Sequence, residues 1–267
     1  MQQVDAPGTS SQDILVERTE RGIVTLTLNR PHVKNAISFP MWEELRRLFH
    51  EVTRTESDRV LVVTGAGGAF CAGAELSADM GMGTHPLNAM QLPNAAAIAL
   101  HEVTKPSIAK VGGDAVGAGM NLALGCDLVV AGESARFSEI FARRALSIDF
   151  GGSWLLPRLV GMHKAKELAL FGDVISAREA ERIGVVNRVV PDDELDAFVD
   201  DWARRLAEGP PLALQMTKRM IANAFSLSLT EALGWEAAAQ TVNFASKDTR
   251  EGVIAFIEKR TPVFRGR

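Results

Sequence analysis

Two glycine-containing turns and two acids carry the reactive potential of this chain. "FCAGAEL" (70–76) follows an apolar run with small residues. "VGAGMNL" (116–122) follows another, inside the longer stretch "GDAVGAGMNLALGCD" (113–127). Small residues let a ligand approach the backbone closely. The first N–H groups of a helix have no intrahelical acceptor, and the helix dipole favours negative charge there. Two such groups aimed at one point form an oxyanion hole, worth roughly 3–4 kcal/mol per donor in acyl chemistry. The same pattern also suits two tight packing turns, and spacing alone does not separate the readings. Neither segment is G-x-G-x-x-G or a phosphate-binding Walker loop, because Phe70 and Leu122 occupy the last glycine positions.

Asn121 is the only polar side chain between Asp114 and Asp127. An amide hydrogen-bonds but does not usefully accept a proton near neutral pH. The nearest acids beyond the second turn are Asp149, in "ALSIDFGGSW", and Glu139, in "RFSEIF". An aspartate between Ile148 and Phe150 is placed for a raised proton affinity. It serves equally well as a cap for a helix starting near Gly151. The alternation from Phe137 does not decide which way Glu139 points.

These residues need a framework, and composition allows a substantial one. The chain has 267 residues, 46% of them apolar, enough for a real core. Its net charge of −4, with Lys and Arg scattered, argues against nucleic-acid binding. No run of about 18 uncharged apolar residues predicts a membrane span. "MQQVDAPGTSSQ" (1–12) reads as a disordered tail without the apolar region of a signal peptide. Cys71 and Cys126 fit neither a disulfide framework nor a zinc spacing, and with five scattered His no metal site is expected. A cytoplasmic protein is the default expectation.

"GIVTLTLN" (22–29) alternates as a strand does. Ser38 is placed to cap a helix carrying Met41, Trp42, Leu45, Leu48, Phe49 and Val52 on one face. "RVLVVTG" (59–65), "KPSIAKVGG" (105–113) and "DLVVAG" (127–132) read as buried parallel strands, and 94–103 as a helix. Ser176 and Glu179 form a candidate capping box. From Pro191 to Lys259 the pattern is helical only: 192–208, 210–224, 227–246 and 248–259. The organisation is thus a tail (1–12), an α/β core (13–190) and a helical C-terminal segment (191–267).

With the motifs set out, the chain resembles the crotonase family, the enoyl-CoA hydratase/isomerase fold, over nearly its full length. The residues that carry the resemblance are "LNRPHVKNAIS" (28–38), "TGAGGAFCAGAEL" (64–76), "VGGDAVGAGMNLALGCDLVVAGESARF" (111–137), "GGSWLLPRLVG" (151–161) and "TPVFRGR" (261–267). The resemblance implies a spiral of ββα units with a C-terminal helical trimerisation segment. It further implies a homotrimer or dimer of trimers, and acyl-CoA substrates that bring coenzyme A with them, so no separate cofactor. By motif position the oxyanion donors are the N–H groups of Ala74 and Ala118, with Gly73 and Gly117 shaping the turns. Ala72 and Leu76 line the adenine site, and Phe256 and Lys259 reach the CoA of a neighbouring subunit. Without the resemblance, Phe256 and Lys259 read as one core and one solvated residue of a helix.

The chain departs from the family's hydratases at their two glutamate positions, which hold Asn121 and Phe141. Hydration needs one group to activate water and another to deliver a proton. That pattern disfavours hydration. Asp149 matches the place where some isomerases of the family put a catalytic aspartate, and a single carboxylate suffices to move one proton between carbons. Those isomerases usually have Gly where Ala145 stands and Pro where Ile148 stands. The expectation is therefore an acyl-CoA double-bond isomerase using Asp149. The alternatives are a catalytically silent acyl-CoA binder and a hydratase with non-standard acids, for which Glu139 is the next carboxylate available.

Overall fold

The computed structural model describes residues 13–76 and 86–267, so the expected tail (1–12) lies outside the described residues. The amino-terminal half runs β1 (Ile14–Arg18), β2 (Ile23–Leu28), α1 (Phe39–Arg54), β3 (Val60–Gly65), α2 (Pro86–Ala89), α3 (Gln91–His101) and β4 (Ser107–Val111). β5 (Asp114–Val116), α4 (Ala118–Leu124), β6 (Leu128–Gly132) and β7 (Arg136–Ser138) follow. Then come α5 (Gly152–Val160), α6 (Met162–Phe171), β8 (Ile175–Ser176), α7 (Ala177–Arg182) and β9 (Arg188–Val190). The chain ends in α8 (Leu195–Ala207), α9 (Pro211–Ala222), α10 (Leu229–Ala245) and α11 (Lys247–Glu258).

The main sheet has the order β1-β2-β3-β4-β6-β9; β1 pairs antiparallel with β2 and every other pair is parallel. The alternation in β2 buries Val24, Leu26 and Leu28 and leaves Ile23, Thr25 and Thr27 half-buried. β3 is buried on both faces, as a central parallel strand must be. Leu61 and Val63 join α1 and α4 in the larger core, while Val60 and Val62 pack with Leu195, Val199 and Ala203 of α8. A second, three-stranded sheet has the order β5-β7-β8.

α1 buries all six of its expected apolar residues. Ser38 stands at its N-cap, but its side chain makes no capping bond. Pro40 removes one donor of the first turn, and the Met41 N–H is taken by the Ser38 carbonyl (3.0 Å). The Ser176 box is half made. Ser176 accepts from the Glu179 N–H (3.2 Å), while Arg182 holds the Glu179 carboxylate at 2.7 Å. A complete capping box forms instead at Ser228 and Glu231. No helix among the described residues is long and apolar enough to cross a membrane.

Candidate active site

The two glycine turns meet through short parallel bridges. Cys71 donates its N–H to the Asp114 carbonyl and accepts from Val116, both at 2.9 Å. The Ile37 N–H donates to the Gly73 carbonyl at 2.8 Å. Gly73 has φ +95°, and a Cβ there would lie 2.9 Å from the Val116 oxygen and 3.5 Å from the Ala118 nitrogen. Gly119 is packed so closely that a Cβ would fall 2.2 Å from the Cys71 carbonyl oxygen. These glycines are therefore required by close backbone approach.

Gly117, the N-cap of α4, has φ 55° and ψ −127°, a combination essentially restricted to glycine. It turns the chain so that α4 opens with free donors and no side-chain cap. Among the described residues, neither the Ala74 nor the Ala118 N–H makes a hydrogen bond. Two unpartnered donors thus sit on two contacting turns, one of them at a helix start, where free N–H groups favour negative charge. Phe141 is buried, with its ring 3.6 Å from where a Gly117 Cβ would be, so it walls the turn with hydrocarbon.

One turn along α4 from Ala118, about 5 Å in helix rise, Asn121 is fully buried. Its Nδ2 donates to Glu139 Oε2 (3.3 Å) and to the main-chain carbonyl of Asp149 (3.0 Å). These two bonds fix the amide's orientation and tie α4 to both acids. Glu139 is completely buried. β7 ends at Ser138, so the period-two alternation that would have told its direction stops one residue short.

Asp149 sits in a strained loop. Ala145 has φ 56°, and Phe150 has φ 48°. Left-handed backbone costs a non-glycine residue roughly 1–2 kcal/mol. Phe150 is held by Trp42, with ring centroids 5.1 Å apart, which pins the loop to α1. The capping reading of Asp149 does not hold. The N-cap of α5 is Gly151 in the left-handed conformation, without a side-chain cap. Asp149 gives its main-chain carbonyl to the Gly152 N–H (2.9 Å), and its carboxylate Oδ1 has no partner. Gly152, to which the sequence assigned no role, lets α5 close on the amide: a Cβ there would lie 2.4 Å from Asn121 Nδ2.

Burial pushes the Asp149 carboxyl up to about 6. Burial likewise pushes Glu139 up to about 8; the Asn121 hydrogen bond opposes this and the charge of Asp149 adds to it. Glu139 therefore holds its proton to higher pH than Asp149, a separation of the kind that acid–base pairs use.

No hydrogen bond among the described residues links the remaining expected positions to this cluster. Ala72 is half-buried and donates its N–H to the Lys34 carbonyl (2.9 Å), while Leu76 is exposed. Phe256 is 84% exposed and lines a cleft with Pro210, Leu212, Phe264 and neighbours, and Lys259 is the exposed C-cap of α11. Both cysteines are buried and free, with thiols pushed up to about 12 by burial. Among the described residues no group of three His, Cys, Asp or Glu is arranged to hold a metal ion.

Two turns with unpartnered N–H groups thus lie on an α/β frame beside two carboxyls whose proton affinity burial raises. The family model for enoyl-CoA hydratase/isomerase matches residues 18–267, and the chain belongs to that family, which acts on CoA thioesters. It is similar to the 1,2-epoxyphenylacetyl-CoA isomerase of Escherichia coli K12, 37% identical over 96% of this chain and 99% of that protein. A probable enoyl-CoA hydratase of Rhodobacter capsulatus is 40% identical over 92% of this chain and 95% of that protein. Among solved structures, a putative enoyl-CoA hydratase from Streptomyces coelicolor superposes with TM-score 0.92 at 36% identity, covering 99% of this chain and 98% of that one. The Bacillus anthracis enoyl-CoA hydratase superposes with TM-score 0.90 at 34% identity, covering 96% and 100%. The crotonase-type fold expected from the motifs is thereby shown.

Proposed function

We propose that this protein shifts a double bond in an acyl-CoA thioester, with Asp149 as the proton carrier. The observation that carries the reading is the Asp149 carboxyl itself: half-buried, with an unpartnered oxygen, raised in proton affinity, and tied through Asn121 to the helix that presents the Ala118 N–H. A 3-enoyl thioester bound with its carbonyl oxygen on the Ala74 and Ala118 N–H groups has acidic α-hydrogens. Asp149 removes one, the electron pair delocalises onto the thioester oxygen, and the two N–H groups stabilise that charge. Collapse of the enolate returns the same proton from Asp149 to the γ carbon, leaving the 2-enoyl thioester. General-base catalysis of this kind supplies about 10²–10⁴-fold.

A hydratase reading draws on one observation, the second carboxyl of Glu139. Against it, Glu139 is wholly enclosed behind Asn121, and Phe141 puts hydrocarbon at the other hydratase position. Exposed apolar residues on the last helices, including Ile221, Phe225, Leu229, Phe244 and Phe256, support assembly into a trimer or a dimer of trimers. A panel assay tests the function: 3-enoyl-CoA converted to 2-enoyl-CoA, against hydration of crotonyl-CoA. Isomerisation at least tenfold faster than hydration is expected. Predominant hydration would overturn the reading, and tight binding with no turnover of either would make the protein a silent binder.

A further inference from the structure

The cluster around Asn121 is short of hydrogen-bond donors. The amide's only donor group, Nδ2, is fully committed to Glu139 Oε2 and to the Asp149 carbonyl. Among the described residues three buried acceptor oxygens have no donor: Asn121 Oδ1, Glu139 Oε1 and Asp149 Oδ1. Buried acceptors left unmatched cost about 1–3 kcal/mol each, and the half-buried Asp149 carboxylate opposes a charge on Glu139. Among the described residues no hydroxyl or cation hydrogen-bonds to these oxygens; the other buried unpartnered atom, Arg158 Nε on α5, is a donor that none of them accepts from. Ser138 Oγ donates to the Gly172 carbonyl (3.1 Å), and Arg143, on the turn after Glu139, is exposed and paired with Asp173. Of the charged groups on β7 and its following turn, on α5 (Arg158), on α6 and on the Asp149 loop, Asp149 alone among the described residues bears on the charge of Glu139. Gly152 closes the remaining side with bare backbone against the amide.

We propose that Glu139 is a positioning residue held as a neutral carboxylic acid, whose proton supplies a donor that the cluster lacks and leaves Asp149 as its only anion. A proton on Oε1 turns one orphan acceptor into a donor available to one of the other two, with Oε2 still accepting from Asn121. The acid never meets substrate, since it is completely enclosed; it acts through the Asn121 amide and through charge. Its placement is consistent with the proton affinity that burial and the Asp149 charge give it, up to about 8. The consequence for catalysis rests on the assignment of Asp149 as base. An enolate is an anion, and forming it beside a second ionised carboxylate is penalised. Turnover therefore rises as Asp149 loses its proton near pH 6 and falls as Glu139 loses its own near pH 8.

Infrared difference spectroscopy on the full-length wild-type protein reads the proton directly and needs no variant to fold. The expected result is a buried carboxylic-acid C=O band present at pH 7 and lost by about pH 10. It should be absent in Glu139→Gln and retained in Asp149→Asn. No acid band at pH 7, or a band that survives Glu139→Gln, would overturn the proposal. The kinetic readout is the pH profile of kcat with a 3-enoyl-CoA. Wild type should fall about tenfold per pH unit on the alkaline side, and Glu139→Gln should lose that alkaline limb. At pH 7 Glu139→Gln should lose less than about tenfold, and Glu139→Ala about 10²-fold, as misplacement of a neighbouring catalytic group does. An alkaline limb unchanged in a folded Glu139→Gln would also overturn it. Failure of the base assignment shows separately, as an Asp149→Asn enzyme of full activity, and leaves the infrared result untouched.

Discussion

Gly152→Ala sets two effects of known size against each other. Gly152 is the first residue of α5, and a helical glycine replaced by alanine gains up to about 1 kcal/mol of helix propensity. The site opposes that gain. An alanine Cβ would lie 2.4, 2.5 and 2.6 Å from Nδ2, Oδ1 and Cγ of Asn121, where ordinary contact is about 3.5 Å. Asn121 is fully buried, so its amide has nowhere to go without breaking its bonds to Glu139 (3.3 Å) and to the Asp149 carbonyl (3.0 Å). A displacement of about 1 Å costs roughly 1–3 kcal/mol of overpacking, and two lost hydrogen bonds add about 1 kcal/mol each. The clash wins by about 2–4 kcal/mol. For a domain of this size each kcal/mol moves Tm by roughly 2–4 °C, so a drop of about 5–15 °C follows. Activity should fall further than stability, because a misplacement of about 1 Å near the reacting atoms costs about 10²-fold. Thermal melting and kcat for 3-enoyl-CoA isomerisation decide it. A Gly152→Ala protein that melts at or above wild type with unchanged kcat would refute the reasoning.

At Gly117 the space exists but the dihedrals do not. A Cβ there meets Phe141 and Ile140 at an ordinary 3.6 Å, while φ 55° and ψ −127° exclude alanine. Gly117→Ala should cost about 1–3 kcal/mol and turn the Ala118 N–H away, seen as a fall in kcat of about 10²–10³-fold. Stability should also depend on pH through Glu139. Between about pH 4.5 and 8 the unfolded chain loses this proton and the native state keeps it. The native state is therefore penalised as pH rises, by up to roughly 1.4 kcal/mol per pH unit. Asp149 contributes in the same sense only between about 3.8 and 6. Melting from pH 6 to 8 should show a slope in wild type that is largely lost in Glu139→Gln; equal slopes would contradict the burial argument. Light scattering should report a trimer or hexamer, and a monodisperse monomer at micromolar concentration would contradict the reading of the exposed helical faces.

Much of this architecture is written in local pattern. The alternation of β2, the uninterrupted apolar run of β3 and the helical face of α1 each identify an element, because burial on one face or two dictates residue type. The C-terminal helices were legible for the same reason, within a few residues at each end. Short elements whose stability comes from neighbours were not legible: β8 has two residues and α2 four. The glycines of the two turns stand out as motifs, yet only the fold shows that Gly73 lies against the Ala118 nitrogen. Glu139 was visible as an acid and not as a neighbour of Asn121, because its direction depends on where β7 ends. Gly152 belongs to a recognisable motif, but its role depends on an amide 31 positions earlier in the chain, a contact no local pattern encodes.

The central claim is that Asp149 carries the proton. The direct test is kcat for conversion of a 3-enoyl-CoA to the 2-enoyl isomer by Asp149→Asn, with substrate affinity measured on the same protein. The substitution keeps the side chain's shape and removes its basicity, while the main-chain carbonyl that bonds Asn121 stays in place. A fall in kcat of about 10²–10⁴-fold with affinity little changed is the predicted result. Wild-type turnover by a folded Asp149→Asn protein would contradict the account.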